Sequence, residues 1–181
     1  MTCIVGISQN GSVIIGADSA GVSGLDLRVR RDAKTFVNGP FVFGCTTSFR
    51  MIQLLQFKLQ VPLRHPSKDV MDFMTTVFID SIRDCLKAGG FASKHEETER
   101  GGTFLVGYAG RLFCIYDDYQ VAECLEGFDA CGCGESYALG NLHATKTEPN
   151  ARNRLESALN CAAYFSAGVC GPFVVLEGGA A

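Results

Sequence analysis

The first strands of this chain are apolar on both faces. Cys3-Ile4-Val5-Gly6-Ile7 and Val13-Ile14-Ile15-Gly16-Ala17 show no alternation with polar residues, and Asn10-Gly11 between them is a strong hairpin turn. A strand that is apolar on both sides needs cover on both sides. The pattern recurs at Thr35-Phe36-Val37 and Phe41-Val42-Phe43-Gly44, which flank Asn38-Gly39-Pro40. The stretch between these hairpins, up to Lys34, is polar. Helical spacing follows. Met51, Leu54, Leu55 and Leu59 share a face, with Thr47 or Ser48 placed to cap it. Ser67 is expected to open a longer helix in which Val70, Phe73, Met74, Val77, Phe78 and Ile82 recur until Gly89-Gly90. From Ser93 to Gly102 the chain is charged and glycine-bounded and reads as a surface loop.

Strands return at 103–106 and 112–116 around an Ala109-Gly110 turn, with another short strand near Gln120–Cys124. Gly132-Cys133-Gly134 leads into a helix with Tyr137, Ala138 and Leu142. Pro149-Asn150 opens another, with Ala151, Leu155, Ala158, Leu159 and Ala162 on its buried side. Phe173-Val174-Val175-Leu176 is a last strand. Segregated runs of strands and helices argue for an α+β fold rather than an alternating one. Two antiparallel sheets stacked face to face, with helices outside, would cover every strand twice.

The 181 residues suit one domain, 1–181. Hydrophobic residues at 47% and charged residues at 19% supply a core and argue against disorder. A net charge of −3 gives no reason to expect nucleic acid or an anionic membrane as partner, and no apolar run approaches the ~20 residues of a membrane span. Nine scattered cysteines, most inside apolar runs, point to free thiols in a reducing cytosol. The strand pattern begins at once, so no signal peptide is expected. Cys131-Gly132-Cys133 is too tight for zinc ligands, and His65, His95 and His143 are dispersed. Neither a metal nor a cofactor is expected.

Thr2 carries the chemical interest. A small second residue lets Met1 be trimmed, and trimming leaves Thr2 with a free α-amine beside its own hydroxyl. That amine titrates at ~7.7–8.0, so one residue then holds both nucleophile and base. Gly16-Ala17-Asp18-Ser19 and the isolated Lys34 follow at spacings that suit such a site. A lysine charge near Thr2 favours the neutral amine and a developing alkoxide. Asp18 would orient Lys34 and offset part of its burial cost. Cys3, the other nucleophile to weigh, alternates to the opposite face of the strand and reads as core.

These motifs, with Gly132-Cys133-Gly134-Glu135-Ser136-Tyr137-Ala138-Leu139-Gly140, resemble those of the proteasome β-subunit and its bacterial relative HslV over nearly the whole chain. The resemblance implies a four-layer αββα sandwich of the N-terminal-nucleophile (Ntn) hydrolase kind. It implies a cytoplasmic threonine peptidase that cuts unfolded polypeptides inside a homo-oligomeric ring fed by an ATP-dependent unfoldase. It places the catalytic roles on Thr2, Asp18 and Lys34, and the oxyanion donor on the Ser48 amide. Several positions depart from the family pattern. Ser48 replaces a glycine, and Cys133 a serine that touches the terminal amine. Ser166 replaces an aspartate, Val169 a second serine, and Val22 a small polar residue. This thinned polar shell motivates one alternative, a non-catalytic ring subunit. An Ntn amidohydrolase acting on a small molecule is the other.

Overall fold

The computed structural model describes residues 1–91, 93–95 and 98–180. The chain opens with β1 (Cys3–Gln9) and β2 (Ser12–Ala17), joined through Asn10 and Gly11, both at positive φ. The hairpin β3 (Ala20–Ser23) and β4 (Asp26–Val29) follows, then β5 (Thr35–Asn38) and β6 (Phe41–Cys45). Next come α1 (Phe49–Phe57), α2 (Val70–Phe73), a π-helical turn (Met74–Phe78) and α3 (Ile79–Ala88). The ribbon β7 (Ser93–His95) and β8 (Thr98–Arg100) leads to β9 (Phe104–Tyr108), β10 (Arg111–Ile115), β11 (Val121–Glu123) and β12 (Phe128–Gly132). Helices α4 (Glu135–Ala144) and α5 (Ala151–Phe165) and strand β13 (Val174–Gly178) complete it.

Two antiparallel sheets result, ordered β12-β1-β2-β13 and β11-β10-β9-β6-β5. They stack face to face. Ile4, Val13, Ile15, Val42, Leu105 and Leu112 fill the layer between them. Cys3, Val5 and Ile7, on the other face of β1, pack with Leu142, Leu155 and Leu159 of α4 and α5. The five-stranded sheet packs its outer face on α1, α2 and α3 through an aromatic cluster, in which the Phe41 ring lies 4.4 Å from Tyr108 and 4.7 Å from Phe78. The order of layers is helix, sheet, sheet, helix, the expected αββα sandwich. Doubly apolar strands follow from it, since alternate residues of β1 and β2 serve two different cores. Each such side chain, fully buried, contributes roughly 1.5–3 kcal/mol. The sheets approach closely at Gly44, where a Cβ would lie 2.5 Å from methyls of both Ile4 and Ile15.

Four local expectations need correction. The polar stretch before Lys34 is a hairpin turning at Gly24 (φ +59°), with all of β4 exposed. The 93–102 stretch contains a two-stranded ribbon rather than only loop, although 96–97 lie outside the described residues. β12 pairs with β1 where only a lead-in to α4 was expected. The helix expected from Ser67 starts two residues later. Asp69 Oδ1 accepts the N–H of Met71 at 2.8 Å and of Asp72 at 3.1 Å, while the Ser67 hydroxyl bonds His65. That helix is also interrupted. The Thr75 and Thr76 hydroxyls donate to the carbonyls of Met71 and Asp72 at 2.8 and 2.6 Å, competing with the regular ladder where the turn widens. The changed phase leaves Val77 facing solvent. Among the described residues no helix is long and apolar enough to cross a membrane.

Candidate active site

Thr2 sits where three chain segments meet. Cys3, the first residue of β1, pairs with Gly132 at the end of β12, and Ile4 pairs with Ala17 at the end of β2. Gly132 is at φ +104°, and a Cβ there would lie 2.2 Å from the Thr2 carbonyl oxygen. Only glycine lets β12 end so near Thr2. The next residue, Cys133, accepts the Thr2 N–H on Sγ at 3.2 Å and lies 3.5 Å from the Ser166 hydroxyl, at the C-terminal cap of α5. The Thr2 hydroxyl donates to the Met1 carbonyl. Val169 is buried and donates its N–H to the Ser166 carbonyl.

Asp18 and Lys34 form a buried ion pair beside this point. Asp18 leaves β2 and turns its carboxylate inward. Oδ1 accepts the Cys3 N–H at 2.9 Å and Lys34 Nζ at 2.8 Å, and Oδ2 accepts the Ala20 N–H at 2.8 Å. Asp18 is 1% exposed and Lys34 2%. The Lys34 carbonyl accepts the Cys45 N–H at 2.9 Å, which fixes the lysine backbone to β6. A buried charge pair is tolerable when the remaining polar atoms find partners, and here two backbone amides complete the carboxylate.

A cleft of about 100 Å³ opens beside Thr2, lined also by Ala20, Val22, Lys34, Ser48 and Phe49. A wider cleft of about 630 Å³ shares Val22 and Phe49 with it and runs along the β3–β4 hairpin. Arg30 stands over the Phe49 ring, 3.7 Å from its centroid, and its guanidinium pairs with Asp32.

Thr2, Lys34 and Ser48 therefore lie around one cleft, with Asp18 beneath as the partner of Lys34 and Cys133 and Ser166 behind the Thr2 nitrogen. The Ser48 side chain caps α1, accepting the Arg50 N–H at 3.1 Å. Its own N–H is already committed, donating to the Thr46 carbonyl at 2.7 Å. The sequence gives no sign of that bond, because Thr46-Thr47-Ser48 reads as an ordinary helix cap.

Cys3 faces the α4–α5 layer. Burial, with the Asp18 charge adding to it, pushes its thiol up to about 12. Burial likewise raises Cys114 to about 12 and lifts Cys45 and Cys131 further. All nine cysteines are free. At pH 8, iodoacetamide is expected to label the exposed Cys124 and Cys133 within minutes and to spare these four buried thiols in the native protein. Peptide mapping after brief labelling checks this, and early modification of Cys3 would contradict the packing described.

Comparison with solved structures decides the architecture. BPH from Thiobacillus denitrificans, solved in complex with epoxomicin, superposes with a TM-score of 0.82 at 20% identity, covering 97% of this chain and 97% of that one. The chain has the proteasome-type Ntn-hydrolase fold. Eukaryotic HslV from Trypanosoma brucei shares it at TM-score 0.69 and 16% identity, covering 97% of this chain and 98% of that one. Anbu, the ancestral beta-subunit from Yersinia bercovieri, matches at TM-score 0.67 and 14% identity, over 98% of this chain and 81% of that one. No family model and no curated protein matches the sequence. The proteasome-type fold is thus carried by a sequence only 14–20% identical to these neighbours.

Proposed function

We propose that this protein is a threonine-type peptidase subunit, with Thr2 as nucleophile after removal of Met1. The observation that carries the reading is the buried Asp18–Lys34 pair, whose lysine lines the Thr2 cleft. A fold does not need a fully buried lysine at a strand end, whereas an N-terminal nucleophile gains from one. In the reaction, the neutral α-amine takes the Thr2 hydroxyl proton as Oγ1 bonds to the scissile carbonyl carbon. The carbonyl electron pair moves onto oxygen, where a backbone N–H is needed. Collapse expels the amine half of the substrate, which takes the proton from the ammonium. Water, activated by the same amine, then cleaves the ester and restores the hydroxyl. Lys34 holds a positive charge that favours the neutral amine and the alkoxide, and Asp18 fixes its position. Cys133 and Ser166 orient the amine.

The two adjoining clefts suit an extended polypeptide better than a compact small molecule. An unspecific peptidase is safest inside a closed chamber, so the subunit is assigned to a homo-oligomeric cytoplasmic ring, with an ATP-dependent unfoldase delivering unfolded chains. A second reading, a ring subunit without catalysis, draws on the committed Ser48 amide and the Thr2 hydroxyl bound to the Met1 carbonyl. Intact mass before and after treatment with epoxomicin separates the two. The catalytic reading expects a chain lacking Met1 that gains one adduct, absent from Thr2→Ala. Retained Met1 with no adduct would favour the structural reading.

A further inference from the structure

The turn between β6 and α1 holds the Ser48 amide away from substrate. The Ser48 N–H bonds the Thr46 carbonyl at 2.7 Å, which closes a γ-turn around Thr47, and Thr47 stands at φ +60°. Positive φ is strained for a β-branched residue, so something must hold it there. Thr103 supplies the clamp. Its carbonyl accepts the Thr46 N–H at 3.2 Å and the Thr46 hydroxyl at 2.8 Å, and its own N–H donates to Thr47 Oγ1 at 3.2 Å. Gly102 packs against the same residue, since a Cβ there would lie 3.0 Å from Thr47 Cβ. An amide committed to a carbonyl two residues back has no proton left for an oxyanion.

We propose that Thr47 is a positioning residue that controls the oxyanion donor. Its left-handed backbone, clamped by Thr103, keeps the Ser48 N–H sheathed. The site becomes competent when the Thr47–Ser48 peptide rotates and turns that N–H into the Thr2 cleft. Relief of the strained φ offsets the lost hydrogen bond, so a bound peptide can select the open arrangement. This proposal rests on reading Thr2 as a nucleophile.

Two substitutions push the turn in opposite directions. Thr47→Gly takes positive φ without strain and favours the closed turn. Thr47→Pro fixes φ near −65° and forbids it. The Thr47 N–H makes no hydrogen bond among the described residues, so the ring of proline removes none. An oxyanion donor acts on the transition state, so kcat should change and KM should not. Relative to wild type, Thr47→Gly is expected to lose about tenfold in kcat and Thr47→Pro to gain several-fold. Native-state hydrogen exchange should find the Ser48 amide protected in wild type and Thr47→Gly, and unprotected in Thr47→Pro. Thr47→Val, which keeps the β-branch and replaces only the oxygen that accepts from Thr103, should shift both readouts in the proline direction and serves if the proline variant does not fold. A freely exchanging Ser48 amide in wild type, or identical kcat across folded variants, would overturn the proposal. If no variant cleaves peptide, the peptidase reading fails, and the exchange data still decide the turn.

Discussion

Thr2→Ala is expected to reduce kcat for peptide hydrolysis by at least about 10⁴-fold, the scale seen when a covalent nucleophile is removed. Stability should change little. The side chain is mostly buried, but among the described residues its hydroxyl bonds only the Met1 carbonyl, and β1 begins one residue later. Alanine is also as small as the trimming of Met1 requires, so the comparison does not mix chemistry with processing. Thr2→Ser, which keeps hydroxyl and amine together, should retain measurable turnover. The check is a fluorogenic peptide assay on protein whose terminus has been read by mass. Equal rates in Thr2→Ala and wild type would remove the threonine mechanism outright.

Lys34→Met is the second large effect. The substitution leaves the Asp18 carboxylate buried without its counter-charge, a situation that costs about 3–5 kcal/mol when nothing else compensates. Two backbone amides, from Cys3 and Ala20, remain on that carboxylate. The expected loss is therefore near the lower end, about 3 kcal/mol, or a fall in melting temperature of roughly 6–12 °C. Adding Asp18→Asn should recover much of the stability, since the pair is then gone as a unit, but should restore no activity. Urea denaturation and the peptide assay on the single and double variants separate these terms. A double variant as active as wild type would show that the ion pair supports the fold only.

Much of the fold was legible because the strands that matter are apolar and end in strong turns. β1, β2, β5, β6, β9 and β10 are all flanked by Asn-Gly, Asn-Gly-Pro or Ala-Gly. The β3–β4 hairpin escaped because β4 buries nothing and so carries no hydrophobic period. β12 escaped because Asp129 breaks its apolar run, although Phe128, Ala130 and Cys131 are buried. The π turn keeps the same residue types as a regular helix, and the threonine hydroxyls that attend it read as solvent-facing. At the site, the meeting of Asp18 and Lys34 was legible through the family resemblance that their motifs carry. The bond from Ser48 to Thr46 was not, since it depends on a threonine in a conformation that its own propensity disfavours.

The Thr2 nitrogen bonds a cysteine 131 positions further along the chain. During synthesis the amino end leaves the ribosome first, and it must wait for β12 and α5 before its surroundings exist. A half-translated copy carries the threonine but lacks the wall behind it. On the proposed reading of Thr2 as nucleophile, peptide cleavage is thereby withheld from neighbouring nascent polypeptides until translation of the subunit is nearly finished.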